Sequence, residues 1–286
     1  MYSGGLMEKF ISGPGRKSLT IEDAFNWSFE ILKLNIKTLF PSLVILMILK
    51  LGSRMFFNKE DTFFWNMLIL SYSGLSSFIS LIIYSGLRVE ISDYIENGKK
   101  IESPFASGKK LWQRIIFIAL LYFTFLFVAG VSMGIFILFL TMIGHISILL
   151  AVYTGLAACI AGAAAFIFLK VRLAFFQNIY YVRKLGVVKS LLYSLHITKN
   201  YFTKIFLTDI IFWFLIFILE IILTFSNFIN FFSKNLLLVI IIVITQSIIS
   251  FMISFLFCVK TGVISLFYLN AEYKDLQPEE ENNKTT

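Results

Sequence analysis

Between Ile115 and Leu169 the chain runs for 55 residues without an Asp, Glu, Lys or Arg. As one helix rising about 1.5 Å per residue it would be roughly 80 Å long, more than twice the hydrocarbon thickness of a bilayer, about 30 Å. The block therefore reads as two crossings folded back near its midpoint, with Gly144-His145 as the hairpin tip. A water-soluble core does not need such a block, because its apolar residues recur at helix or strand intervals among polar ones. Composition agrees: 58% of residues are hydrophobic and 15% are charged, against about 25% charged in ordinary globular proteins.

The same length criterion places apolar segments at 38–56, 63–87, 115–143, 146–169, 205–225 and 236–258. The fold class expected is all-α, a polytopic membrane protein of six transmembrane helices. Residues 1–20 form a segment before a membrane domain at 21–271, and 272–286, with Glu279-Glu280-Glu281, reads as a disordered tail. Pro41, tolerated in a first helical turn, marks where span one begins. No cleavable signal peptide and no lipidation site is expected. Cys159 and Cys258 both lie in apolar segments and read as packing residues.

Orientation follows from the Lys and Arg count between spans. The N-terminal segment carries five, the 88–114 loop six, the 170–204 loop seven and the tail three, which places 21 of 25 on one side. Arg54, Lys59 and Lys234 fall on the other. Both termini are thus expected in the cytoplasm of a bacterial inner membrane. Tyr180, Tyr181 and Tyr201 are expected in the inner aromatic belt, and Phe63, Phe64 and Trp65 in the outer one. The 170–204 loop has no acid at all, and its cations flank spans, so anionic lipid headgroups rather than nucleic acid are the expected counterpart of the +8 net charge. Lys170, Arg172, Arg183, Lys184, Lys189 and Lys199 are the candidate headgroup contacts. A protein partner in the membrane is left open, as is the oligomeric state.

Before span one, Thr20 can cap a helix with Asp23 three residues on. Asp23, Asn26, Glu30, Lys33 and Lys37 then make a polar stripe opposite Ile21, Phe25, Phe29, Leu32 and Ile36, the pattern of a helix lying in an interface. The 187–203 stretch repeats this before span five. Superposing 21–40 on 187–206, an offset of 166, matches Ser28 with Ser194, Ile31 with Ile197, Lys33 with Lys199 and Phe40 with Phe206. Gly108-Lys109-Lys110-Leu111-Trp112 before span three reads as a more degraded third copy. Repeated units of interfacial helix plus helical hairpin are expected.

Tyr193-Ser194-Leu195 followed by Lys199-Asn200, on an amphipathic helix before a span, resembles the signature of the YciC-like family of bacterial six-span proteins. It is similar also to the membrane domain attached to some glycerophosphodiester phosphodiesterases. The resemblance implies a helical bacterial inner-membrane protein of largely undefined biochemical role, and it transfers no catalytic residue. No attached phosphodiesterase domain is expected within these 286 residues.

Ionisable groups inside spans are costly and point to function by default. Lys50, Asp209 and Glu220 are the three, and Gln246 adds a polar amide. Asp209 and Glu220 are eleven residues apart and share a helix face with Trp213 between them. Counted from the nearest flanking cations, Lys50, Glu220 and Gln246 lie roughly 20 to 24 Å deep, in one layer. Two readings compete. In one, these three face a cavity and Asp209 is a second station for a proton or cation. In the other, Lys50 and Glu220 pair or snorkel, and Asp209 is solvated at the inner interface. Gly155 and Gly162 lie on a small-residue face of span four, expected to pack against Gly130 and Gly134 of span three. Ser71, Ser73, Ser76, Ser77 and Ser80 of span two read as interhelical hydrogen-bonding groups or the lining of a wet path. His145 and His196 have no partner at a metal or nucleophile spacing, and no catalytic or nucleotide motif is present, so neither a cofactor nor an enzymatic role is expected.

Overall fold

The computed structural model describes residues 19–56, 63–144, 148–232 and 236–283. Every regular element among them is helical: α1 Ile21–Leu34, α2 Ile36–Phe56, α3 Phe63–Asn97, α4 Pro104–Lys110, α5 Trp112–Gly144, α6 Ile148–Arg172, α7 Phe176–Val182, α8 Val187–Ile197, a 3-10 turn Thr198–Tyr201, α9 Phe202–Phe232 and α10 Leu236–Asn283. Five helices are long and apolar enough to cross a membrane, or six if the bent pair α1–α2 counts as one span. The hairpin tip at His145, the expected N-terminal segment up to Ser18, Lys59 and Lys234 fall outside the described residues.

Local chemistry sets the first bend. Thr20 caps α1 by accepting from the Asp23 amide at 3.1 Å. At the other end Asn35 leaves helical geometry, its side chain donating to Ile31 O at 2.8 Å while its own carbonyl accepts from the Thr38 hydroxyl, also at 2.8 Å. The axis turns by 96° there. α2 therefore starts at Ile36, and Pro41 lies in its second turn rather than at its start.

α10 is the centre of the fold, packed against α1, α2, α3 and α9. Every residue from Thr261 to Glu272 is buried. A helix enclosed on all sides shows no polar stripe, which is why the sequence reading ended the span at 258 and began a solvated tail at Glu272. That expectation is corrected: the helix continues, and Glu272 is 6% exposed. The α5–α6 hairpin is the opposite case, its apolar side chains facing outward along almost their whole length.

Three units follow one another: α1 with α2 and α3, α4 with α5 and α6, and α8 with α9 and α10. Each short helix docks on the second long helix of another unit. Ser28 of α1 donates to Val259 O of α10 at 2.9 Å. Ser194 of α8 and Thr198 just beyond it both donate to Arg172 O at the end of α6, each at 3.0 Å. Gly108 of α4 meets Ile82 of α3 backbone to backbone, and Gly86 meets Pro104 in the same way. The internal likeness extends past sequence identity, because the buried positions coincide at the same offset of 166: Ala24 and Ser190, Ser28 and Ser194, Ile31 and Ile197, Leu39 and Ile205, Ser42 and Thr208, Leu46 and Phe212.

Close helix contact lies at these crossings and not where the small-residue face predicts it. Gly155 has only Leu140 Cδ1 nearby, at 3.4 Å, and Gly162, Gly130 and Gly134 face open space. α5 and α6 do pack together, but not through these glycines.

Candidate functional site

Lys50 of α2 and Glu220 of α9 meet at 2.7 Å, so the depth matched in sequence becomes a contact between helices. The ammonium also sits 5.8 Å from the centre of the Phe257 ring, a cation–π distance. Beside it is a cavity of about 260 Å³ lined by Lys50, Ser76, Ser80, Tyr84, Ser254 and Phe257 with Leu46 and Leu49. Ser76 and Ser80 come from the serine series of span two, whereas Tyr84 and Ser254 carried no signal in the sequence. Gln246 Nε2 reaches Ser226 Oγ at 3.5 Å. Chemically the cavity offers hydroxyls and one ammonium whose charge Glu220 balances.

Asp209 is held between two ammonium groups rather than left to solvent. Its two oxygens take Lys260 of α10 at 2.5 Å and Lys170 of α6 at 3.2 Å, which joins three helices through one carboxylate. Trp213, one turn beyond Asp209, is 65% exposed and stacks on Phe217. 

The six candidate headgroup cations separate into two groups. Arg183 is committed to the protein: Nε donates to Glu272 Oε1 at 2.9 Å and to the Tyr268 hydroxyl at 3.2 Å, and Nη1 donates to Glu96 Oε2 at 3.2 Å. Nη2 is shared between Glu272 and Glu96. The bond to Glu272, with Glu96 adding to it, holds the guanidinium proton above its ordinary range although burial acts the other way. Lys170 is half-committed through Asp209, and Arg172 lies against the Phe168 ring, 5.8 Å from its centre. Lys184, Lys189 and Lys199 are exposed. Lys184 has φ 55°, a left-handed turn held by Arg114, which donates to the Lys184, Leu185 and Tyr180 carbonyls at 2.8, 3.1 and 2.8 Å.

The expected inner aromatic belt is also corrected. Tyr180, Tyr181 and Tyr201 are buried among protein side chains, with Tyr201 donating to Asn270 Oδ1 and Tyr180 stacked on Phe176. Asn270 Oδ1 accepts from the Leu19 amide as well, at 3.2 Å, tying the start of α1 to α10. Among the described residues no three His, Cys, Asp or Glu side chains converge as metal ligands. The chain matches no family model, no curated protein and no solved structure.

Proposed function

We propose that this chain is a multi-pass protein of a bacterial cytoplasmic membrane, crossing it six times with both termini inside. Its role in this reading is non-enzymatic: it organises lipid or envelope proteins, or assists transport, through a basic end that holds anionic headgroups. The bent α1–α2 pair supplies the sixth crossing, and the Lys and Arg bias supports the orientation. The short resemblance to the YciC-like family around Tyr193-Ser194-Leu195 agrees with it.

One observation carries the reading. Three ionisable groups of the sequence-based spans are engaged in ion pairs between helices, Lys50 with Glu220 and Asp209 with Lys170 and Lys260, whereas Lys184, Lys189 and Lys199 project from one end. Exposed ammonium groups near a membrane surface attract anionic lipid by about 1 kcal/mol each. The test is thermal stability in nanodiscs as phosphatidylglycerol replaces phosphatidylcholine. Wild type gains stability with the anionic fraction, and the variant carrying Lys184→Gln, Lys189→Gln and Lys199→Gln loses more than half of that gain. Equal gains in both would sink the reading.

A second reading is a small proton- or cation-coupled transporter, favoured by the hydroxyl-lined cavity beside Lys50. Uptake into proteoliposomes that disappears in Glu220→Gln would establish it; uptake absent from wild type would remove it.

A further inference from the structure

Arginines at the basic end differ sharply in how their donors are used. Arg183 engages two carboxylates and a phenol, and Arg114 three backbone carbonyls. Arg88, in α3, makes one hydrogen bond, from Nη1 to Asn178 Oδ1 at 2.6 Å. Its Nε is shut off from solvent with no acceptor, and among the described residues no carboxylate pairs with it. A guanidinium carries five N–H donors and keeps its charge at any physiological pH. One neutral acceptor leaves that charge uncompensated in a place where leaving it so is costly.

The surroundings supply donors, not a counter-charge. Tyr181 of α7, 1% exposed, lies near Arg88 with no hydrogen bond of good geometry to its hydroxyl. The adjacent Ser85 hydroxyl is already given to Leu81 O at 2.5 Å. The exposed Tyr122 of α5 accepts at its hydroxyl from Nε2 of Gln177, the residue next to Arg88's partner Asn178, at 3.3 Å. Asn178 is held from behind, its amide nitrogen donating to Ile264 O at 3.4 Å. Arg88 as a whole residue is part-buried, and the Tyr122–Gln177 hydrogen bond at the edge of the cluster is exposed, so the cluster reaches the surface on that side.

We propose that Arg88, Tyr181, Tyr122 and Gln177 form a seat for one phosphate-type oxyanion between α3, α5 and α7. Such an anion brings what the cluster lacks: negative charge and several acceptor oxygens that fit a guanidinium edge in two-point fashion. Hydroxyls of Tyr181 and Tyr122 donate to the remaining oxygens. Arg88 follows the apolar stretch of its helix by one residue in the sequence-based span, which puts the seat where phospholipid phosphates lie. A phospholipid headgroup and free inorganic phosphate present the same chemistry. The seat needs none of Lys184, Lys189 or Lys199, so it stands or falls separately from the lysine-borne reading.

The test uses full-length protein in a sugar-headgroup detergent and phosphate-free buffer, with thermal unfolding followed during titration. The probes are short-chain phosphatidylglycerol, inorganic phosphate, and a short-chain diacylglycerol that lacks phosphate. Wild type and the triple lysine variant are expected to show a saturable stabilisation by phosphatidylglycerol, by phosphate, or by both, and none by diacylglycerol. Phosphatidylglycerol alone identifies the lipid as the source; stabilisation by phosphate as well identifies the free anion. Half-saturation should rise at least tenfold in Arg88→Gln and severalfold in Tyr122→Phe. Tyr122 is exposed, so its variant keeps the test decisive if Arg88→Gln does not fold. No saturable shift with either phosphate probe, or half-saturation unchanged in the two variants, overturns the proposal.

Discussion

Ser28 and Gly262 share one helix crossing: the Ser28 hydroxyl lies over Gly262, where a Cβ would collide with it, and donates to Val259 O at 2.9 Å. The absence of a side chain at Gly262 is what lets α1 lie flush on α10. Overpacking a tight contact costs about 1 to 3 kcal/mol. Gly262→Val is accordingly expected to destabilise by at least that much in a detergent unfolding experiment, and Ser28→Ala by about 1 kcal/mol, the size of one lost hydrogen bond. A Gly262→Val protein as stable as wild type would mean that α1 is not seated there.

Gly86 and Gly108 meet backbone rather than a movable side chain, so even a methyl has no room. Gly86→Ala and Gly108→Ala should each lower thermal stability clearly. Gly162→Ala, facing open space, should be neutral or stabilising by up to about 1 kcal/mol because alanine is the better helix former. The comparison is made by melting all three side by side.

Lys50 and Glu220 form a partly buried pair, and removing one partner takes this counter-charge from the other. Lys50→Met and Glu220→Gln should each destabilise by about 1 to 3 kcal/mol, with the double variant recovering much of the loss. Additive losses in a double-mutant cycle would show that the two are not coupled.

Arg183 ties the end of α3 and the buried stretch of α10 to the α7–α8 turn through Glu96 and Glu272. Lysine cannot copy a two-sided fork, so Arg183→Lys should destabilise by about 2 kcal/mol or more. The sign with pH follows from the raised guanidinium value. Its contribution is complete below the ordinary guanidinium value and is lost only as pH rises past the raised folded one. The wild-type minus Arg183→Lys difference should therefore stay flat from about pH 7 to pH 10, where a fall would contradict the assignment.

How much was readable in advance differs from element to element. The Thr20 cap, the long apolar helices, the short helix before α5 and the likeness of α1 to α8 were all legible, since each depends on residues within a turn or two. The pairing of Lys50 with Glu220 was open as one of two readings, because helix depth can be counted from a sequence whereas facing cannot. The ion pairs of Arg183 carry no sequence signal: its partners are 87 and 89 residues away, and nothing local distinguishes it from Lys184. Tyr84, Ser254 and Arg88 gave no signal for the same reason.

By itself the sequence determined that this chain is helical, where its apolar stretches lie and how its cations are distributed. Those properties are sums over neighbouring residues, set by transfer free energy and backbone hydrogen bonding. The tertiary structure alone decided that Thr261 to Glu272 is the most enclosed part of the chain, that Gly86, Gly108 and Gly262 rather than Gly155 and Gly162 make the close crossings, and which cations are spent inside the protein. Those outcomes depend on which helix faces meet, and periodicity carries the direction of a face but not the identity of its partner.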